Sequence, residues 1–305
     1  MDFTINIYKN LLTTLQKQGF SFQTFAEYMS SGNAQDNSTF NIQHSKLIIL
    51  RHDVDALPQN SLRFARIQAE MGIKGTYYFR IVPQSFDERI IKEIAELGHE
   101  IGYHYETMDT CKGDVDQAFN EFCRNLEKFQ KLTEIKTISM HGSPLSKFDN
   151  RDIWKKYDYK KLGLLAEPYF DIDFNHLFYL TDTGRRWDGH RFNVRDKPMV
   201  RAGEGASKRV GDNPNKRADT LPPGGELEGG APESLHPNFG RGIPSFSTTH
   251  DIIRAIESGN FPYPAMLNFH PQRWHNKPIP WLKEFIWQNV KNQGKRVLIA
   301  ARKKQ

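Results

Sequence analysis

Acidic and histidine side chains stand at the end of a short apolar run near the start of the chain. Residues 47–50 are all aliphatic and predict a buried strand, which leads directly into His52, Asp53 and Asp55. On an extended strand, carboxylates two residues apart point the same way. Two close carboxylates repel, so one of them must protonate, pair with a cation or bind a metal. Asp53 and Asp55 could instead cap the helix predicted to begin at Pro58.

Three further predicted strands end in histidine. They are strand 99–104 ending in His104, strand 135–141 ending in His141, and strand 265–270 ending in His270. Because the carboxyl ends of parallel strands share one edge of a sheet, we expect these rings to face the two aspartates. A mixed Asp/His set suits zinc or another borderline divalent ion. A metal, a carboxylate base and an acid together favour hydrolysis of an acyl bond.

The elements that position these residues alternate along the chain. Helical periodicity over 58–71, 86–97 and 114–132 separates the early strands, among them 75–80, and this alternation predicts an α/β fold with a parallel sheet. Later strands are predicted at 164–170 and 177–181, with a last helix at 281–290 and a closing strand at 296–300, which gives seven or eight strands.

The chain divides into three predicted parts. Residues 1–45 are expected to form a helix and loop packed on a catalytic barrel spanning 46–300. Within the barrel, 201–245 holds nine Gly, six Pro and one aromatic residue, with six basic and six acidic side chains. Such a segment cannot bury enough apolar surface to offset its ordering entropy, which predicts a disordered insertion; a mobile lid over the site is the alternative.

Composition excludes several classes of protein. The chain has 305 residues and a net charge of +6, with basic residues scattered apart from a C-terminal cluster that we interpret as a solvated tail rather than a nucleic-acid surface. Cys111 and Cys123 lack metal-site spacing and predict reduced thiols. The N-terminus carries no signal-peptide pattern, and no apolar run approaches the roughly 20 residues of a membrane span, so we expect a cytoplasmic protein. Nothing in the sequence indicates the oligomeric state.

Three short motifs resemble a known family. Arg51–Asp55 (RHDVD) and Gly98–His104 (GHEIGYH) are similar to the first two motifs of polysaccharide deacetylases of the NodB-homology type, carbohydrate esterase family four, and Asn268–His270 is similar to their last motif. The resemblance covers residues of about 45 to 290, apart from the insertion. It implies a distorted (β/α) barrel of about seven parallel strands that uses a divalent metal, here expected to be zinc, to remove acetyl groups from a carbohydrate substrate.

The resemblance also assigns roles by position. Asp53 matches the catalytic base, Asp55 and His104 match metal ligands, and His270 matches the general acid. The family's second metal histidine corresponds to Met108, which is a poor ligand for such an ion. We therefore expect His141 to supply the missing ligand, with Glu106 as the second choice. His141 also opens the segment that replaces the family's third motif.

Candidate substrate-binding residues complete the predicted site. Arg51 and Glu106 lie beside the predicted ligands. In the stretch 182–188, Trp187 could stack on a sugar while Arg185 or Arg186 binds a phosphate or carboxylate; the alternative is a surface turn with a buried Trp. Two other functions stay open, namely a metal-independent carbon–nitrogen hydrolase on the same fold and a non-catalytic glycan-binding barrel.

Overall fold

The computed structural model describes residues 1–31, 46–142, 146–187 and 245–302. The strands are β1 (Ser21–Gln23), β2 (Leu47–Val54), β3 (Thr76–Phe79), β4 (Glu100–Tyr105), β5 (Ile138–Met140), β6 (Phe178–Thr181) and β7 (Ala265–Phe269). The α-helices are α1 (Ile5–Lys17), α2 (Phe25–Ser30), α3 (Pro58–Glu70), α4 (Glu88–Glu96), α5 (Thr107–Thr110), α6 (Val115–Gln130), α7 (Pro168–Asp171), α8 (Thr249–Glu257) and α9 (Pro278–Arg302). Short 3₁₀ turns cover Asn150–Lys155, Tyr159–Leu162 and Pro271–Arg273. Among the described residues, no helix is long and apolar enough to cross a bilayer.

All seven strands join one parallel sheet. The order is β5-β4-β3-β2-β7-β6. β2 lies in the interior of the sheet, between β3 and β7, and every one of its residues is buried. β7 pairs along one edge of β2, so β1 and β3 share the other edge, β1 with the first half and β3 with the second. The side chains at the carboxyl ends of β2, β4, β5 and β7 are thereby brought to one end of the sheet.

A single side-chain contact shows that the sheet is curled. Nη2 of Arg51 on β2 donates to Oγ of Ser139 on β5 at 2.7 Å, although the two strands are three positions apart in the sheet. Strands lie about 4.8 Å apart with side chains perpendicular to the sheet, so a flat sheet would separate them by roughly 14 Å. The curl confirms the predicted α/β fold, a distorted barrel-like sheet of parallel strands.

Local sequence explains why the flanking helices form where they do. In α4, the Asp87 side chain accepts a hydrogen bond from the backbone N–H of Ile90, which satisfies one of the unpaired donors at the helix start. Ile90, Ile91 and Ile94 recur at helical spacing and are fully buried. The helix therefore covers the sheet with one apolar stripe, as its periodicity predicts.

Two predicted strands are wrong. In the segment 164–170, only Ala166 makes a bridge, to Thr137, and the chain then enters α7 because Pro168 occupies the first turn and the Glu167 side chain caps it. The closing strand predicted at 296–300 is instead part of α9. β1 was not predicted, since three residues carry too little periodicity to identify a strand. The insertion predicted at 201–245 lies, except for Ser245, outside the described residues.

Candidate functional site

The predicted acid and histidine side chains meet at the carboxyl end of the sheet. Nε2 of His104 lies 3.9 Å from Oδ2 of Asp53 and 3.8 Å from Oδ1 of Asp55. Nε2 of His141 lies 3.6 Å from the same Asp55 oxygen, and Nε2 of His270 lies 3.9 Å from Oδ2 of Asp55. Five residues that are up to 217 positions apart in sequence therefore form one cluster.

Asp55, His104 and His141 could hold a metal ion. One ligand atom from each lies within 4.8 Å of the other two. Tetrahedral zinc with ligands at about 2.0–2.1 Å requires separations of about 3.4 Å, so only small side-chain shifts are needed. Oδ1 of Asp55 is buried and accepts no hydrogen bond from the described residues, whereas Oδ2 accepts one from Gln272 at 3.1 Å. An unsatisfied buried carboxylate oxygen is costly unless a cation binds it, so the donor set fits a divalent metal.

Outer contacts fix how the two histidines present their rings. Nδ1 of His104 lies 2.9 Å from the carbonyl oxygen of Ser139, which only accepts, so Nδ1 carries the proton and Nε2 the lone pair. Nδ1 of His141 lies 3.1 Å from Oε2 of Glu106, which directs Nε2 toward Asp55. Burial lowers the pKa of His104 to about 4, against the pull of Asp53, so its ring is neutral at pH 7 as metal binding requires.

Glu106 supports His141 rather than joining the ligand group. Arg80 donates to both of its carboxylate oxygens, and His141 contacts one of them. Burial opposes ionisation of Glu106, but its hydrogen bonds to His141 and Arg80 outweigh this and lower its pKa to about 2. The group that could hold a metal ion includes His141, the expected third ligand, whereas Glu106, the other candidate, contacts the far side of the His141 ring.

Met108 is not available as a ligand. It lies in α5 and is buried in the hydrophobic core, while its backbone N–H donates to Asn150. The departure from the family pattern therefore leaves the ligand group intact, because His141 at the end of the next strand lies beside His104.

Asp53 is held by two neighbours inside the sheet. Arg51 donates from Nε and Nη2 to its two oxygens at 2.8 and 2.9 Å, and Asn268 donates to Oδ2 at 2.9 Å. Burial disfavours the carboxylate, but the charge of Arg51 outweighs burial and holds the pKa of Asp53 well below its usual range. The guanidinium lies between the rings of Tyr78 and Tyr169, 5.4 Å from each centroid.

The expectation that Arg51 binds substrate is corrected by this arrangement. Only 1 % of Arg51 is exposed, and its side chain is committed to Asp53 and Ser139. The alternative that Asp53 and Asp55 cap the following helix is also wrong. α3 begins after Leu57 and has no side-chain cap.

His270 is paired with a buried acid that the sequence analysis did not include in the site. Nδ1 of His270 lies 2.5 Å from Oδ1 of Asp182, and Trp274 and the His270 backbone N–H both donate to Oδ2. Burial opposes ionisation of Asp182, but the charge of His270 outweighs it and lowers the Asp182 pKa. Asp182 immediately follows β6. Because the carboxyl ends of parallel strands lie at one edge of the sheet, its position could have been predicted in the same way as those of the histidines.

Trp187 and Arg185 are buried and do not present their side chains for the expected binding of a sugar. Trp187 is 2 % exposed, packs against Phe3 and Phe269, and donates from Nε1 to Thr249. Arg185 is also buried and donates to the carbonyl of Trp281 on α9. The structure thus contradicts stacking of a substrate on Trp187 and places both residues in the packing between the sheet and the terminal segments.

Comparisons with known proteins find similarity to a solved structure but no match among family models or curated sequences. A scan against protein-family models finds no match, and a search of curated proteins also finds none. A solved structure is similar. It is a family 4 carbohydrate esterase from Bacillus anthracis, with 17 % sequence identity and a TM-score of 0.32, over 55 % of this chain and 71 % of the esterase chain.

Proposed function

We propose that this protein is a divalent-metal-dependent hydrolase that removes an acetyl group from an N-acetylated sugar. The observation that carries the proposal is the convergence of Asp55, His104 and His141, with the unsatisfied Oδ1 of Asp55 facing both rings, next to Asp53 and His270. Three side chains that can bind a metal, a further carboxylate and a further histidine are the components that acyl hydrolysis requires.

Asp55, His104 and His141 would hold the ion at the carboxyl end of the sheet. When bound, zinc would polarise the acyl carbonyl and make a water molecule easier to deprotonate. The rest of the chemistry depends on the protein's own groups, which must orient that water, take its proton and protonate the leaving group.

Asp53 suits the first two of these tasks. An ionised carboxylate has about four acceptor sites, and Arg51 and Asn268 occupy three of them. The remaining site on Oδ1 could accept the hydrogen of a water and hold it in line with the acyl carbon. As that water adds to the carbon, Oδ1 would take its proton. Because Arg51 keeps the carboxylate charged and fixed in orientation, the geometry is prepared before substrate binds.

His270 suits protonation of the leaving nitrogen. Its Nδ1 is bound to Asp182, so its Nε2 is the atom that faces Asp55. The Asp182 carboxylate stabilises the charge of a protonated ring and keeps it in one orientation. Proton donation from Nε2 would let the amine depart as a neutral group.

The substrate class rests on the motif resemblance of Arg51–Asp55, Gly98–His104 and Asn268–His270 to the polysaccharide deacetylases. An N-acetylated sugar or glycan precursor is the corresponding proposal, with the amide carbon–nitrogen bond as the one cleaved. Asn268 contributes to the site in a way that supports the motif, since its amide contacts both Asp53 and Tyr179.

The test is acetate release by purified full-length protein, loaded with zinc or treated with a chelator, from N-acetylated oligosaccharides and nucleotide sugars. Asp53→Asn and His104→Ala should abolish release. His250→Ala, which replaces an exposed histidine on α8, should leave it unchanged. Absence of acetate release from every substrate by the zinc-loaded protein would overturn the proposal, as would full activity after chelation.

A further inference from the structure

The exposed apolar side chains of the protein are concentrated on α9. In the part of the chain that the structure describes, eight large hydrophobic residues are exposed, and six of them lie on this helix with 44 to 71 % of their surface accessible. They are Ile279, Leu282, Phe285, Ile286, Trp287 and Val290. Apolar residues gathered on one exposed element, rather than scattered singly, mark an interaction surface.

The helix presents its apolar side outward. Ile279, Leu282, Ile286 and Val290 follow one another at intervals of three or four residues and so share one face of α9. The opposite face carries Glu284 and Gln288, which are hydrogen-bonded to each other and face the protein. A helix that only covered a core would be oriented the other way round.

The net charge of the protein resides in the same segment. The chain has 42 basic and 36 acidic side chains, and residues 278–305 contain seven of the basic and one of the acidic ones. Residues 1–277 therefore hold 35 of each and are neutral overall, while the last segment carries the entire excess of +6. Charge and exposed apolar surface thus coincide at this end of the chain.

We propose that α9 binds the surface of an anionic phospholipid membrane. A helix with aromatic and aliphatic residues on its exposed face and a cluster of Lys and Arg lies in the plane of the interface, with the apolar face among the lipid headgroups and acyl chains. Anionic lipid attracts the basic cluster. Since no described helix can span a bilayer, the attachment is peripheral.

Other occupants of this face fit less well. Two copies packed through α9 would bring two segments of charge +6 together, and like charges in an interface oppose association. The segment 201–245 of the same chain holds one aromatic residue and equal numbers of acidic and basic side chains, so it complements neither the apolar face nor the charge. An anionic lipid surface matches both properties.

Flotation of the full-length protein with vesicles tests this surface. Vesicles of phosphatidylcholine with about one third phosphatidylglycerol should carry the protein, and pure phosphatidylcholine vesicles should not, because the basic cluster needs an anionic surface. Raising the salt from about 0.1 M to about 1 M should release most of the protein, because the screening length falls to about 3 Å.

Two variants and one control separate the contributions. Leu282→Ser/Ile286→Ser should weaken binding to anionic vesicles by at least about tenfold, as should Lys283→Gln/Lys291→Gln, which removes two exposed charges of α9. Leu57→Ser, which replaces an equally exposed leucine outside α9, should bind as wild type. The proposal fails if wild type ignores anionic vesicles, if Leu282→Ser/Ile286→Ser binds equally well, or if light scattering shows a dimer that this double variant dissociates.

Discussion

Oδ1 of Asp55 lies 3.6 Å from Nε2 of His141 and 3.8 Å from Nε2 of His104, and no hydrogen bond reaches that oxygen from the described residues. The two rings are turned toward it by different partners, a backbone carbonyl for His104 and a carboxylate for His141. Asp55, His104 and His141 could thus hold a metal ion, with outer contacts already in place for both rings. Met108, which stands where the deacetylases that the motifs resemble have a second metal histidine, is buried.

Replacing His141 should remove most of the metal affinity. His141→Ala deletes one of three ligands, so we expect zinc to bind more than about a hundredfold more weakly, a larger loss than outer contacts cause. Competition with a chromophoric chelator measures the change. His250→Ala is the matched control and should bind zinc as wild type does; an unchanged affinity for His141→Ala would remove this residue from the site.

Replacing Glu106 should give a smaller loss. Glu106→Gln keeps the shape of the side chain but weakens its hold on His141 and Arg80, so zinc affinity should fall about 10- to 100-fold. The exposed Glu134 serves as the control, and Glu134→Gln should change nothing. Equal affinities for the Glu106 variant and wild type would show that His141 does not depend on this carboxylate.

Loss of the Arg51 side chain should destabilise the fold as well as the site. Arg51→Met leaves the buried Asp53 carboxylate without its charge partner, which costs about 3–5 kcal/mol of unfolding free energy. Lys74→Met breaks an exposed pair with Glu27 and should cost less than about 1 kcal/mol. Urea unfolding at pH 7 compares the two, and similar small losses would contradict the role of Arg51 in holding Asp53.

Glu167 should make the metal-free protein less stable as pH rises. Burial raises its pKa to about 7, against the backbone donors Met140 and Tyr169, whereas in the unfolded chain its pKa is about 4.5. The contribution of Glu167 to the unfolding free energy is complete below pH 4.5. About 3 kcal/mol of it is lost as pH rises through 7. Glu167→Gln should lack this loss. Parallel curves of unfolding free energy against pH for wild type and Glu167→Gln between pH 4.5 and 8 would contradict this role of Glu167.

Trp187 should behave as a core residue rather than a substrate contact. Trp187→Ala should lower the unfolding free energy by about 3–5 kcal/mol because it opens a cavity beside Phe269 and Trp274. Trp287→Ala on the exposed face of α9 should change it by about 0.5 kcal/mol or less. A Trp187 variant of normal stability with a raised KM for a sugar substrate would restore the stacking role.

The sequence was most informative where one rule governs several elements. Parallel strands place their carboxyl ends together, so His104, His141 and His270 could be assigned to one edge without knowing the strand order. Asp182 follows the same rule but was missed, because its partner His270 is 88 residues away and nothing local distinguishes it from a turn residue.

Orientation and burial were harder to predict than position. The pattern around Trp187 fits an exposed binding loop and a buried turn equally, and only packing against distant residues such as Phe3 decides between them. In α9, periodicity identifies an apolar face, but the side on which the helix docks depends on contacts such as the hydrogen bond from Trp281 to Asp2. The strand predicted at 296–300 is wrong because its short apolar run also suits the end of a helix.

The most direct test of the metal centre is the zinc X-ray absorption spectrum of the protein loaded with one equivalent of zinc. We expect two imidazole nitrogens with oxygen ligands, all at about 2.0–2.2 Å, and the loss of one imidazole in His141→Ala. A spectrum with sulfur ligands at about 2.3 Å, or one in which wild type and His141→Ala are identical, would contradict the account.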